Sequence, residues 1–387
     1  MRITSSRAGC DCGMRGRVKN LQPTAYSLHI ININMTPVRI RIKDIAGLAG
    51  VSIGTVDRVL HNRGEVASAT RDRIIRIAGD LHYSPNIIAQ SLKRQKVYNL
   101  VSLLPEATDE NIFWKNHVAG IERALSELVP FPVSMTFVNF DYFDESDFRE
   151  RYREVMNMKP DGVLFAPVFR NGSISFAREL EILNVPYVLV DGAIEEAGYL
   201  AFTGENARQS GRVAAQLIDM TISPGSEILI VNFAKDLEDT HHLNTRTKGF
   251  LEYFSSGSRY CGKGISLTIP RTDFTIVKDE LVSVFRNNQG IGAIFVSGSR
   301  SHKIARYLCE EGINSVVLGG YDITENNISY LKMGCIKFLI GQRPAEQAFK
   351  SVKKLFDYLY FERMPGRNEY LPIDIITSEN VDLYVSG

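Results

Sequence analysis

Residues that could form hydrogen bonds with nucleic acid are concentrated near the N-terminus, between Arg41 and Leu60. Hydroxyl and guanidinium groups donate to phosphate oxygens and base edges, and small side chains permit a close approach. In a helix that begins near Ser52, one side would present Ser52, Ile53, Gly54, Thr55, Asp57 and Arg58. A short helix of this kind can enter the major groove of DNA.

The neighbouring residues provide the elements that would position this surface. Apolar residues at helical spacing predict a first helix, Gly50 suits a tight turn, and Ser52 is a good N-cap for a second helix. The apolar residues of the two helices are Ile42, Ile45, Ala46, Ala49, Val56, Val59 and Leu60. This pattern predicts a helix-turn-helix; on the pattern alone, an ordinary pair of core helices is the alternative.

Two further helical segments follow. Ser68 is predicted to cap a third helix, from Ala69 to about Leu81, with Ile74, Ile75, Ile77, Ala78 and Leu81 as its apolar residues. Residues 85–97 combine Pro85 with a thin apolar stripe and a basic end, so they predict a helix too short to be stable alone. A basic linker is the alternative there.

Composition limits the class of protein. The chain has 387 residues, of which 44% are hydrophobic and 23% charged, which is typical of a soluble globular protein with two or three domains. It has no run of 18 apolar residues, so we expect no membrane span. Its five irregularly spaced cysteines argue against a disulfide framework and fit the cytoplasm. Residues 1–37 are interpreted as a disordered or misassigned leader, with Met35 as an alternative start.

Charge is distributed unevenly along the chain. Residues 38–97 hold eleven basic and five acidic side chains, a net charge of +6, and residues 1–37 carry +4. Since the whole chain is +1, residues 98–387 carry −9. A basic head on an acidic body is typical of a DNA-binding module joined to a soluble sensor.

From Tyr98 onward, apolar runs alternate with amphipathic helical stretches. This order predicts parallel sheets covered by helices on both faces. Because 290 residues exceed one such sheet, we expect two α/β subdomains with a ligand crevice at the strand ends. The predicted strands are Leu100–Leu104, Val133–Val138, Gly162–Pro167, Tyr187–Val190, Glu227–Phe233, Ile265–Ile269, Ala293–Ser297 and Val316–Gly319. The predicted helices are Trp114–Leu128, Phe148–Met158, Ile174–Leu183, Gln209–Met220, Asn244–Phe254, Phe274–Asn287, Ser301–Glu310 and Pro344–Leu359.

These residues together resemble the lactose/galactose repressor family of bacterial transcriptional regulators. The resemblance rests on Arg41-Ile-Lys-Asp-Ile-Ala, Gly50-Val-Ser, Thr55-Val-Asp-Arg-Val-Leu60, Thr70-Arg, Tyr83-Ser-Pro-Asn86 and Ala89-Gln-Ser-Leu92, and it covers residues 40–387. It implies a headpiece (38–84), a hinge helix (85–97) and a two-subdomain effector domain resembling periplasmic sugar-binding proteins (98–387). It also implies a cytoplasmic homodimer that binds operator DNA and a small carbohydrate-like effector.

The resemblance assigns roles on DNA residue by residue. It places Ile53, Gly54 and Arg58 on the base-reading face, with Ser52 and Thr55 near phosphates. It adds Asn86, and it puts Ala89 and Leu92 of the hinge in the minor groove. Asp57 departs from the family pattern, in which serine is usual. A carboxylate is unfavourable near phosphate but can accept a hydrogen bond from cytosine, so the operator sequence is left open.

The same resemblance points to effector-binding residues in the body: Phe113, Trp114, Asp191, Arg246, Asp322 and Gln342. Carboxylates, a bidentate guanidinium and an aromatic platform suit a polyol. Each residue has another interpretation: Trp114 could belong to the core, Asp191 could cap a helix, and Arg246 could form a surface ion pair. Asp322 and Gln342 could be turn residues.

Several chemistries lack their sequence signatures. The chain has no phosphate-binding Gly-x-x-x-x-Gly-Lys-Ser/Thr motif and no Gly-x-Ser-x-Gly motif. His241-His242 lacks zinc-ligand spacing and is interpreted as a solvated loop. We therefore expect no enzyme activity, no metal, no cofactor and no membrane partner. The predicted function is a sequence-specific DNA-binding transcriptional regulator, expected to be a repressor, whose operator affinity is controlled by a small ligand. An extracytoplasmic sugar-binding protein of a transporter is the alternative.

Overall fold

The computed structural model describes residues 40–60, 64–81, 83, 96–108, 112–238, 240–255 and 263–385. The chain divides into two units, Met1–Asn86 and Ile87–Gly387. They are called the head and the body below.

The described part of the head consists of three helices, Ile42–Ala49, Ile53–Leu60 and Ser68–Asp80. Their inward residues form one small core of Ile45, Ala46, Ala49, Val56, Val59 and Ile74. Gly50 ends the first helix with a φ of 62°, and its N–H donates to the carbonyls of that helix. The predicted helix-turn-helix is therefore present. Its turn takes the left-handed backbone conformation that glycine adopts without strain.

Two details of the head differ from the sequence prediction. Ala67 occupies the N-cap position of the third helix, so Ser68 is its first helical residue. Ile75 is 54% exposed, whereas Ile74 is fully buried. Consecutive helical residues lie about 100° apart, so only one member of the Ile74–Ile75 pair can face a core this small.

The body contains a first sheet of six parallel strands in the order β11-β5-β4-β3-β1-β2. These strands are β1 (Tyr98–Pro105), β2 (Val133–Phe140), β3 (Gly162–Phe165), β4 (Tyr187–Val190), β5 (Ala201–Gly204) and β11 (Asn368–Tyr370). The helices Phe113–Leu128, Glu145–Asn157, Arg170–Ile182 and Pro344–Phe361 share a continuous apolar core with this sheet.

A second sheet follows the same plan, in the order β12-β10-β9-β8-β6-β7. Its strands are β6 (Glu227–Phe233), β7 (Gly264–Ile269), β8 (Ile291–Val296), β9 (Val317–Tyr321), β10 (Phe338–Gly341) and the antiparallel β12 (Asp374–Ile376). Alternate residues of β6 enter two different cores, so both faces are covered. The associated helices are Ala207–Asp219, His241–Ser255, Phe274–Asn287, Ser301–Glu310, Glu325–Lys332 and Asp382–Val385.

The chain passes between the two sheets three times. It leaves the first sheet after β5, returns after β10 to form the helix Pro344–Phe361, and crosses again between β11 and β12. The predicted α/β body with two subdomains is confirmed. None of the described helices is long and apolar enough to cross a membrane.

Candidate effector cleft and DNA-reading helix

A narrow cleft lies between the two sheets of the body, and side chains from both subdomains line it. All six residues predicted for effector binding are among them: Phe113, Trp114, Asp191, Arg246, Asp322 and Gln342. The cavity volume is about 20 Å³, room for about one water molecule. A sugar can therefore enter only if the subdomains separate or the lining side chains move.

Arg246 is the central charge of the cleft. It belongs to the helix His241–Ser255, which lies close against Ala207–Asp219 because two glycines face the neighbouring backbone. A Cβ atom on Gly211 would overlap the carbonyl oxygen of Arg246, and one on Gly249 would overlap that of Arg208. This close helix contact fixes the backbone from which the Arg246 side chain enters the cleft.

The Arg246 guanidinium is almost fully buried and has partners on both subdomains. Its Nε donates to Glu205 Oε1 at 2.5 Å, Nη1 donates to the Ser297 carbonyl at 3.0 Å, and Nη2 donates to Gln342 Oε1. Its charge lies 3.9 Å from Asp191 Oδ1 and over the ring of Tyr321, 4.3 Å from the centroid. The interpretation of Arg246 as a surface residue is therefore wrong.

Asp191 and Asp322 occupy equivalent positions in the two subdomains, each directly after the fourth strand of its sheet. Both have left-handed backbones, with φ values of 67° and 72°, and both line the cleft. Burial raises the pKa of Asp191 to about 6 although Arg246 opposes it, and burial raises that of Asp322 to about 8. Gln342 Nε2 donates to Asp322 Oδ1 at 2.8 Å.

Aromatic side chains from the start of the helix Phe113–Leu128 form one wall. Trp114 is 2% exposed, and its ring packs edge-on against Phe113, with centroids 5.2 Å apart. It also stacks on His117 at 4.6 Å. Burial lowers the pKa of His117 to about 3, so this imidazole is neutral at physiological pH. Trp114 thus belongs to the core and lines the cleft at the same time.

The cleft residues that sequence reasoning missed include Tyr142, His242 and Arg300, which make polar contacts there. His242 was expected in a solvated loop, but it is buried in the first turn of its helix, with Nε2 at 3.2 Å from the Tyr142 hydroxyl. It lies four residues before Arg246, hence on the same helix face, and that spacing was the available signal. Arg300 lies over the Tyr142 ring at 5.0 Å, so these contacts join the two subdomains.

The cleft can recognise a polar ligand through both donors and acceptors. Protonated Asp322 can donate a hydrogen bond at neutral pH, ionised Asp191 accepts, and guanidinium groups donate. The aromatic wall offers an apolar face. Among the described residues, no group of three or more His, Cys, Asp or Glu side chains could hold a metal ion.

In the head, the predicted DNA-binding residues Ser52 to Thr55 lie at the N-terminal end of the second helix, whereas Asp57 and Arg58 lie in its second half. Ser52, Ile53, Gly54 and Arg58 are exposed, whereas Thr55 and Asp57 are half-buried. Ser52 Oγ accepts from the Thr55 N–H at 3.1 Å, which is the predicted cap, and Arg58 Nε donates to the Gly54 carbonyl at 3.3 Å. The predicted hinge helix 85–97, with Asn86, Ala89 and Leu92, lies largely outside the described residues, as do these three and the leader 1–37.

Comparison with known proteins agrees with both parts of the chain. A family model described as "Periplasmic binding protein domain" matches residues 101–363, and one described as "Bacterial regulatory proteins, lacI family" matches residues 41–86. A solved structure described as a LacI transcriptional regulator from Bacteroides fragilis is 30% identical, with a TM-score of 0.70, and covers 75% of this chain and 100% of its own. The glucose-galactose binding protein GanP from Geobacillus stearothermophilus shares the fold at 16% identity, with a TM-score of 0.66 over 74% of this chain and 99% of its own.

Curated relatives match over shorter stretches. The sucrose operon repressor of Shigella flexneri is 33% identical over 32% of this chain and 36% of its own length. The regulator RegA of Clostridium acetobutylicum is 32% identical over 43% of this chain and 48% of its own. The matched stretches thus span less than half the length of these two relatives. The body defines a periplasmic-binding-protein-like domain, and the head a DNA-binding domain of the lacI type. The chain belongs to the lacI family of bacterial regulatory proteins.

Proposed function

We propose that this protein is a sequence-specific DNA-binding transcriptional repressor, active in the cytoplasm as a homodimer, whose operator affinity depends on a small carbohydrate-like effector. One observation carries the proposal: a single chain combines an exposed helix-turn-helix surface with a closed cleft in which Arg246 meets carboxylates from both subdomains. The first feature suits operator DNA and the second suits a polyol.

The contacts across the cleft support a mechanism based on opening and closing. Tyr142 and Asp191 belong to the first subdomain, while His242, Arg246 and Arg300 belong to the second. An effector that replaces these contacts would favour one separation of the subdomains over another. A ligand shifts such an equilibrium only through its different affinities for the two states. The effector would thereby select the conformation that is competent for operator binding.

The experiment begins with ligand and site discovery on the full-length protein. Binding sites are selected from a random DNA library, and a panel of neutral sugars, sugar acids and sugar phosphates is tested for a rise in Tm. Effector affinity is then measured with and without the selected DNA. Coupling of about 1–3 kcal/mol predicts a change of roughly 5–150-fold, and operator affinity must change by the same factor.

The outcomes separate the parts of the proposal. Sequence-specific DNA binding with identical effector affinity in both states would refute allosteric control but keep the DNA-binding function. Sugar binding without any selected DNA sequence would favour the alternative, a sugar-binding protein of a transporter. The periplasmic-binding-protein fold of the body is what favours that second candidate.

A further inference from the structure

Two thiols lie side by side in the second subdomain, far along the sequence from the other three cysteines. Cys309 is in the last turn of the helix Ser301–Glu310, and Cys335 follows the helix Glu325–Lys332. Their Sγ atoms are 2.7 Å apart, and both are free thiols. A disulfide bond is about 2.05 Å long, so the sulfur atoms need to approach by only about 0.7 Å.

Each thiol lies next to the turn that ends a helix. The helix that carries Cys309 ends in a turn in which Gly312 has a φ of 68°, and the helix before Cys335 ends in one in which Gly334 has a φ of 77°. The Cys335 N–H donates to the Tyr330 carbonyl at 3.0 Å, which fixes that residue to its helix. The two thiols are therefore brought together by the C-terminal turns of two neighbouring helices.

The thiols are also accessible from outside. Cys309 is exposed and Cys335 is half-buried. Both line a surface groove of about 130 Å³ that Leu308, Met333 and Lys337 border. A small molecule can therefore reach the pair without any opening of the effector cleft.

We propose that Cys309 and Cys335 form a redox-responsive dithiol site, which a small-molecule disulfide such as oxidised glutathione converts to an intramolecular disulfide. The Cys309 thiolate, the more exposed of the two, attacks one sulfur of the oxidant, and one small thiol leaves. The Cys335 thiolate then attacks the mixed disulfide, and the second small thiol leaves. The protein loses two electrons and two protons, and the oxidant is reduced to two thiols. The bond would tie together the two helices at their C-terminal ends.

The reaction should be slow at neutral pH and faster in alkali. Loss of hydration raises the pKa of the Cys309 thiol to about 11, and the hydrogen bond with Cys335 raises it as well. Only the thiolate attacks a disulfide. The rate of disulfide formation should therefore rise steadily between pH 7 and pH 9.

The test treats the full-length protein with oxidised glutathione, alkylates the remaining thiols and maps the peptides by mass spectrometry without reduction. We expect a linked peptide pair containing Cys309 and Cys335, lighter by two hydrogen atoms and separated by dithiothreitol. The oxidised form should unfold at a higher Tm, because the cross-link restricts the unfolded chain. Both cysteines remaining open to alkylation, or each keeping a stable glutathione adduct, would overturn the proposal.

Variants identify the order of events. In Cys335→Ser, Cys309 should retain the glutathione adduct, since no neighbouring thiol can displace it. The matched control, Cys261→Ser, should form the linked pair at the wild-type rate. Linkage of Cys309 to Cys261, Cys10 or Cys12 in the wild-type protein would contradict the assignment.

Discussion

At the scale of single residues, Arg246 neutralises carboxylates of both subdomains, and its removal should have two separable effects. Arg246→Met keeps most of the side-chain volume but leaves Glu205 and Asp191 buried without their cation. Breaking a buried ion pair in this way typically costs about 3–5 kcal/mol. We expect a loss of unfolding free energy of that order and no measurable effector binding.

Trp114, the only tryptophan of the chain, lies in the cleft, so its fluorescence reports unfolding of the body in urea. Arg208→Met is the matched control, because Arg208 pairs with Glu252 on the exposed surface of the adjacent helix. That variant should keep near wild-type stability and effector affinity. Equal stability of the two variants would contradict the central role assigned to Arg246.

Asp322 makes the stability of the body depend on pH in a defined window. Its pKa is raised from 3.8 to about 8, so the folded state holds a proton that the unfolded state has already released. This contribution is complete below pH 3.8 and disappears as pH rises through about 8. Asp191 acts in the same direction, but only up to about pH 6.

Buried histidines change the unfolding free energy in the opposite direction at lower pH. The pH range of the experiment must therefore begin at about 6.5, the ordinary pKa of histidine. The pKa of His117 falls from 6.5 to about 3, so its contribution is lost as pH falls below 6.5. Between pH 6.5 and 8.5, the unfolding free energy should therefore fall with rising pH in the wild-type protein and much less in Asp322→Asn. Asp279→Asn, at an exposed position, should keep the wild-type slope. Parallel slopes in all three proteins would refute a protonated Asp322.

At the scale of elements, the turn of the helix-turn-helix depends on one glycine. Gly50 has a φ of 62° and nothing within 4 Å of an added Cβ, so Gly50→Ala tests backbone strain alone. A non-glycine residue there costs about 1–2 kcal/mol. Gly47 lies within the first helix with equally open space, so Gly47→Ala should stabilise by about 0.5–1 kcal/mol.

Hydrogen exchange of the peptide that spans residues 41–60 measures both variants within the intact protein. Exchange through unfolding of the head should become faster, by about tenfold for each 1.4 kcal/mol lost, in Gly50→Ala and slower in Gly47→Ala. If both substitutions moved exchange in the same direction, the left-handed turn would not be what stabilises the motif.

Helices and strands were predictable where the local pattern of apolar residues matches the way the element packs in the folded protein. The apolar strands β1, β3, β4, β6, β8 and β9 were found because both of their faces are largely buried. The edge strands β2 and β7 are only partly buried, and their apolar residues were the signal that predicted them. Five of the eight predicted helices of the body begin earlier than expected. The helix predicted from Phe148, for example, begins at Glu145, after the Asp144 cap. The strands β5, β10, β11 and β12 were missed, since each has only three or four residues and depends on its partner strand.

The cleft was predictable in part for a related reason. Asp191 and Arg246 stand out by position or motif, whereas Glu205 becomes a partner of Arg246 only through contact across 41 residues. Tyr142 and His242 are likewise joined across 100 residues. These contacts form because the chain crosses three times between the two sheets. No residue pattern within a single segment of the sequence therefore reveals them.

At the scale of the whole molecule, the separation of charge leads to a test of DNA binding. The chain as a whole is nearly neutral, with a net charge of +1, so its total charge predicts only weak attraction to DNA. The head region 38–97 alone carries +6, and exposed cations such as Arg41, Lys43 and Arg73 lie in its described part. Affinity should therefore depend on where the charges lie.

Each phosphate neutralised by the protein releases counterions, so log K falls with log[salt] at a slope of about −0.9 per contact. If a dimer makes six to ten phosphate contacts, affinity should fall by roughly 10³–10⁵ between 50 and 200 mM salt. Lys43→Ala should make the slope less steep without changing the preferred sequence, whereas Arg58→Ala should relax the sequence preference. Fluorescence anisotropy with labelled selected and scrambled duplexes measures both quantities. A DNA affinity that does not change with salt concentration would show that the basic head does not contact DNA phosphates, whatever ligand the body binds.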